Sequence, residues 1–336
     1  MIIKSKMKKG VVVAVAAVAI VAAALIEAVM FSSLIENTLP FRRADMETAV
    51  TAAADWMEFL KQSMQNAVSY SFYNATYEVA KRGGYAKIPD SVPSEGGTAY
   101  WINNSGKYMP TQEDFTQALG IETLKAFNSY GKSHVANYKN VFRVTLVTPT
   151  YSSEAGSSCG SVSITGTGRA RQVSISGSGC VDFSITGGFF TLEESNKNFV
   201  DSVSTNVFEL YEIGKSKFVD PSKDPISLAV SQAVGEMGNT EVQDWEATLR
   251  QKIKTKLAEA KATVNQDLTN AVVDFEYADS GIRVFYCASC TEKYSAEVKV
   301  KVKIHGDVND ASNYQPIFDG DMNWRYATLQ FYVSNI

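Results

Sequence analysis

The sequence predicts an α+β fold: an N-terminal transmembrane helix, a long amphipathic helix, then an ectodomain of antiparallel strands and helices. Three observations carry that expectation. A lysine cluster precedes a long apolar run at the amino end. Apolar residues then recur at helical spacing through several segments. The carboxy-terminal part instead alternates apolar and charged residues with period two.

The basic leader comes first. Residues 1–10 hold Lys4, Lys6, Lys8 and Lys9 and no acid. From Val11 to Ile26 the chain is Val, Ala, Ile and Leu only, and apolar character resumes after Glu27. A bilayer span needs about 20 such residues, so 11–36 reads as a transmembrane helix with Glu27 near the outer interface. The lysines then belong in the cytoplasm, with the body outside the cell membrane. The partner of 11–36 is the lipid bilayer. A cleaved secretory signal is the alternative, with Ala22-Ala23-Ala24 as the small residues before the cut.

Lys8-Lys9-Gly10 directly before the apolar run resembles the class III signal of archaeal type IV pilins and related surface filament proteins. The resemblance covers about 30 residues. It implies cleavage after Gly10, an apolar helix kept on the mature chain, and other pilin-like subunits as packing partners of that helix.

Pro40 ends or bends the first helix. A second one is expected within 41–84, stopping at Gly83-Gly84. Met46, Val50, Ala53, Met57, Leu60, Met64 and Ala67 form its apolar stripe. The body, 85–336, begins with a Gly/Pro/Ser/Asn-rich stretch, Tyr85 to Pro110, read as loop. A helix from Thr111 to about Tyr130 and a strand from Val141 to Val147 follow. Residues 152–190 repeat short alternating units ending in glycine (SVSITG, VSISG, DFSITG), expected as a three-stranded meander.

The segment 191–268 is expected to be helical. Thr191 and Glu194 suggest a capping box for a helix to Lys217. Pro225 to Met237 and a helix opening at Thr240 complete it. The last has Val242, Trp245, Leu249, Ile253, Leu257, Ala260 and Val264 at helical spacing. The region 270–336 is expected as an antiparallel sheet. A hairpin should join 271–277 to 282–286. A half-buried strand should run over 296–304 with Lys299, Lys301 and Lys303 outward, protecting a solvent face or receiving an anionic ligand. A last strand should cover 327–333.

Chemistry-bearing residues are few. Cys287 and Cys290 form a CxxC followed by strand-like sequence, not by the helix of a redox motif. A structural disulfide is expected there, and another between Cys159 and Cys180; a four-cysteine zinc site is the alternative. Asp319, Asp321 and Asn323 place oxygen donors at alternate positions, as the start of a calcium loop does, with a polar turn as the ordinary reading. Calcium is the one cofactor suggested. Asn74 and Asn103 begin N-x-[ST] sequons. The net charge of -4 argues against nucleic acid as a partner. No Walker loop, dinucleotide fingerprint, HExxH or GxSxG occurs. A non-enzymatic structural or adhesive surface protein is therefore expected. A tethered ligand-binding or sensory ectodomain and a secreted enzyme are the alternatives.

Overall fold

The computed structural model describes residues 25–28, 46–55, 57–59, 62–63, 66–103, 105–141, 147–152, 161–166, 172–178, 182–187, 191–194, 198–219, 224–238, 242–306, 314–316 and 324–335. The chain is α+β, with mixed sheets and helices. Of the expected span 11–36, only residues 25–28 are described; they are helical and exposed. Among the described residues no helix is long and apolar enough to cross a membrane.

The described residues between 46 and 81 are helical and constitute α1. Ala53, Met57 and Ala67 of the expected stripe are buried, but Met46 and Val50 are exposed. Ala49 takes the inward place one turn before Ala53, because the buried face follows the 3.6-residue period and not the 3.5-residue seam. The glycine stop is real. Gly83 (φ 78) and Gly84 (φ 95) are left-handed. Gly84 N donates to Val79 O at 2.8 Å and Gly83 N to Ala80 O at 3.2 Å, the two bonds of a Schellman motif.

The stretch expected as loop contains three short strands: β1 (Ser94–Glu95), β2 (Thr98–Asn103) and β3 (Gly106–Lys107). Its composition reads as loop because the turns between these strands are glycine-rich; the strand itself, TAYWIN, is β-branched and aromatic. β2 also serves the end of α1. Thr98 Oγ1 donates to Lys81 O at 3.1 Å, and Trp101 Nε1 donates to Gly83 O at 2.8 Å. Those carbonyls have no partner inside the helix.

Helix α2 spans Gln112–Val141, eleven residues beyond the expected end, and it takes Val141 out of the expected strand. Strand β4 is Val147–Ser152. The expected meander divides between two sheets. β5 (Ser161–Thr165) and β6 (Gln172–Ser178) form a hairpin, but β7 (Asp182–Gly187) leaves it to pair with β4. The repeated units share a pattern but carry no information about their partners, which lie elsewhere in the chain.

The helix expected from Thr191 begins only at Val207. Thr191–Glu194 is β8, paired with β7, and Asn198–Ser204 is β9, paired with β6. A capping-box pattern is local, and tertiary pairing overrides it. Val173 lies opposite Val203 in that ladder, and both are buried. Three helices follow: α3 (Val207–Phe218), α4 (Pro225–Gly235) and α5 (Trp245–Gln266). Asp224 caps α4, accepting from Ile226 N and Ser227 N. Leu249, Ile253, Leu257 and Val264 of α5 are buried, as the helical spacing predicts.

The main sheet takes in β10 (Ala271–Glu276), β11 (Ile282–Tyr286), β12 (Tyr294–Gly306) and β15 (Thr328–Asn335). Its order is β1-β2-β15-β12-β10, with β11 also on β12 and β3 on β2. The contact of β15 with β2 is parallel, so the sheet is mixed, not purely antiparallel. β10 and β11 do not pair as a hairpin. Both run antiparallel to β12 along the same edge, β10 against its second half and β11 against its first. Asp279–Gly281 between them forms one 3₁₀ turn, which offsets the chain without reversing it. Two short strands, β13 (Tyr314–Pro316) and β14 (Trp324–Tyr326), pair with each other. Helices α3, α4 and α5 pack on one face of the main sheet, covering Val298, Val300, Val302, Ile304, Leu329, Phe331 and Val333. The other face is left without helices from that group.

Candidate functional site

Period-two alternation sends Lys299, Lys301, Lys303 and His305 of β12 to the open face. The ladder registers extend them into rows. Lys301 lies between Tyr332 of β15 and Glu276 of β10, and Tyr100 of β2 lies beyond Tyr332. Lys303 lies between Gln330 and Asp274.

The rows form a charged and aromatic surface. Tyr100 and Tyr332 stack with ring centroids 5.0 Å apart and planes at 26°. Lys301 Nζ stands 5.9 Å from the Tyr332 centroid, within cation–π range. Glu95 receives the Tyr100 hydroxyl at 2.7 Å and Lys299 Nζ at 2.6 Å. The Lys299 hydrogen bond, then that of Tyr100, holds the Glu95 carboxyl below its usual range. Burial, reinforced by Glu95, pushes the Tyr100 hydroxyl well above its usual range. Glu276 is paired with Lys303.

Lys301 differs from its two neighbours. It forms no salt bridge among the described residues. Burial disfavours its ammonium and Lys303 adds like charge; Glu276 opposes them and Lys81 adds a smaller repulsion, so its pKa is lowered.

A cavity of about 320 Å³ opens beside these residues, lined by Glu95, Glu276, Tyr277, Ser280, Lys299 and Lys301 among others. The break between β10 and β11 makes this notch. Its wall is fastened from the helix side. Arg250 of α5 donates to Asp279 O at 3.0 Å and also to Ile282 O. Lys254 pairs with the Asp279 carboxylate at 2.6 Å. Gly281 allows the turn to lie on β12: a Cβ there would meet Lys299 O at 3.3 Å.

At the end of the same face Asp274 pairs with Lys261 of α5 at 2.5 Å and with His305 Nε2 at 3.3 Å. The Lys261 hydrogen bond is the main cause of its lowered pKa, with His305 second. A lowered folded-state pKa contributes stability above the unfolded value of about 4, and that stability is lost as pH falls through the folded value. Asp274→Asn is therefore expected to lower the denaturation midpoint at pH 7 and to shrink the loss on acidification. Urea midpoints measured from pH 7 down to about pH 3 check this; parallel curves for the two proteins would contradict it.

The other described residues that the sequence singles out do not line this cavity. Cys287 and Cys290 form a disulfide, Cα–Cα 5.4 Å, in the turn between β11 and β12. Cys287 N also donates to Lys293 O at 2.8 Å across that turn. Asn74 is half-buried on α1, and Thr76 of its sequon is fully buried. Asn103 ends β2 and accepts from Ser105 N at 2.8 Å. Lys8, Lys9, Gly10, Cys159, Cys180, Asp319, Asp321 and Asn323 lie outside the described residues. Among the described residues no three His, Cys, Asp or Glu side chains gather as a metal ligand set.

Sequence reasoning picked out the three lysines but missed Glu95 and Tyr100, which lay in the expected loop. It also missed Tyr332 and Gln330, although the alternation of Leu329, Phe331 and Val333 signals that they face the other way. Comparison with known proteins finds no matching family, no matching curated protein and no matching solved structure.

Proposed function

We propose that this is a membrane-anchored extracytoplasmic surface protein of pilin-like build, structural or adhesive in role and non-enzymatic. The apolar segment 11–36 would pack in the bilayer or a filament core and display the α+β body outside. The observation that carries the reading is the uncovered apolar surface near the amino end. Leu25 and Ile26 are 62% and 60% exposed, and Met46 and Val50 are 40% and 43% exposed. The same α1 helix buries Val68, Phe72 and Val79 completely further along. Exposed apolar side chains of this kind suit lipid or another copy of the helix. The Cys287–Cys290 disulfide supports an oxidising compartment.

The test is intact-mass analysis of the mature protein isolated from membranes. Pilin-like processing predicts loss of residues 1–10 and a chain beginning at Val11. A chain that keeps Met1 would be a simple tether. One that begins near Leu25 and leaves the membrane would be secreted, and the anchored reading would fail. The tethered ligand-binding ectodomain is the second reading, favoured by the notch on the open sheet face.

A further inference from the structure

The geometry points to a binding site for a hydroxyl-bearing monocarboxylate, of the sugar-acid class, in the notch above Lys299 and Lys301. The inference does not depend on whether the chain polymerises.

Charge selects the ligand. Lys299 is already matched by Glu95, and Lys303 by Glu276. Lys301 has no salt bridge among the described residues: Glu276 lies across the ladder from it but is bonded to Lys303, and the Lys301 ammonium stands 5.9 Å from the Tyr332 ring. One carboxylate brought to its ammonium supplies the contact ion pair that Glu276, engaged by Lys303, does not make, and gains a charge-assisted hydrogen bond. A dianion such as phosphate suits the notch less well, because Glu95 and Glu276 both line it and like charge repels. Those two carboxylates have other uses. Each has one oxygen on a lysine and retains acceptor capacity for a ligand hydroxyl. Ser280 and Tyr277, two hydroxyl-bearing residues, also line the cavity. One cationic contact ringed by acceptors and hydroxyls is the complement of a polyol acid.

Size and rigidity agree. The cavity of about 320 Å³ lies at the small end of ligand sites, roughly 300–1,000 Å³. The 3₁₀ turn is held by Arg250 and Lys254, so this wall is already set before a ligand arrives, and less ordering is lost on binding.

Sodium glucuronate titrated into the full chain in detergent, followed by calorimetry, tests the site. A dissociation constant of about 1 mM is expected, ordinary for a ligand of that size. Glucose should bind at least about tenfold more weakly, as should glucuronate to Lys301→Met, which keeps the apolar stem. Lys301→Arg should retain binding. Absence of saturable glucuronate binding overturns the assignment, as does Lys301→Met binding like the unchanged protein. Acetate or inorganic phosphate matching glucuronate also overturns it, because the hydroxyl contacts would then contribute nothing. If Lys301→Met does not fold, the contrast between glucuronate and glucose in the unchanged protein decides the question.

Discussion

Replacing Trp101 with alanine is expected to lower stability by about 3–5 kcal/mol, the usual cost of deleting a buried aromatic ring. A domain of ordinary stability has only about 5–15 kcal/mol to lose. Trp101 has no exposed surface. Its ring stacks on Phe331 with centroids 3.8 Å apart and planes at 5°. Tyr211 meets its edge at 6.0 Å, and its Nε1–H caps α1 at Gly83 O. One side chain thus joins the end of α1, the β2–β15 contact and α3. The parallel β2–β15 pairing is short, with a register shift at Tyr332 and Val333, so packing from this ring has to support it. Trp101→Phe keeps most of the ring and gives up the cap, for about 1 kcal/mol. Urea denaturation of the three proteins measures both costs. Equal losses for alanine and phenylalanine would mean that the hydrogen bond, and not the packing, dominates.

The same residue connects stability to the candidate site. Tyr100 precedes Trp101 on β2 and therefore points to the opposite face. There it stacks on Tyr332 and donates to Glu95. Loosening β2 from the inner side should displace the tyrosine and glutamate on the outer side. Glucuronate binding is accordingly expected to weaken in Trp101→Ala even under conditions where the protein is still folded.

What was legible in the sequence was local. Gly83-Gly84 marks a helix stop because only glycine takes two successive left-handed positions without strain. The alternation through Val298, Val300, Val302 and Ile304 identifies a one-sided strand, and the structure buries all four. The CxxC closes the turn between two strands, where both half-cystines are near in sequence. Pairing between distant segments was not legible. Trp101 stands in a stretch whose composition reads as loop, and its value comes from Phe331, almost the full length of the body away. Thr191 and Glu194 fit a capping box, yet the chain there is strand because β7 offers an edge. The candidate site divides the same way. Lys299, Lys301 and Lys303 announce a charged face, but which of the three is left without a salt bridge depends on Glu95 and Glu276. Those come from β1 and β10, brought together only by the sheet.

Gly214→Ala is the second substitution with a large expected effect, and its sign is opposite to the local rule. Gly214 lies inside α3. In a helix interior, glycine to alanine ordinarily gains about 0.5–1 kcal/mol by restricting the unfolded chain. A Cβ at this position would stand 2.7 Å and 2.9 Å from Cζ3 and Cη2 of Trp101, and 3.3 Å from Cε1 of Phe331. The indole cannot retreat, because Phe331 is stacked on it and its nitrogen is bonded to the end of α1. Either α3 moves off the sheet or the ring pair separates. The expected result is a net loss of about 1–3 kcal/mol, the range for an overpacked core. A double-mutant cycle identifies the cause. In the Trp101→Ala background the added methyl enters vacated space, so Gly214→Ala should become neutral or stabilising there. The coupling between the two sites should reach about 1–3 kcal/mol. Simple additivity would mean that α3 can part from the sheet without disturbing the indole. Trp101 would then not be the wedge that holds β2 to β15, and the inner face would not govern the tyrosine–glutamate row on the outer one.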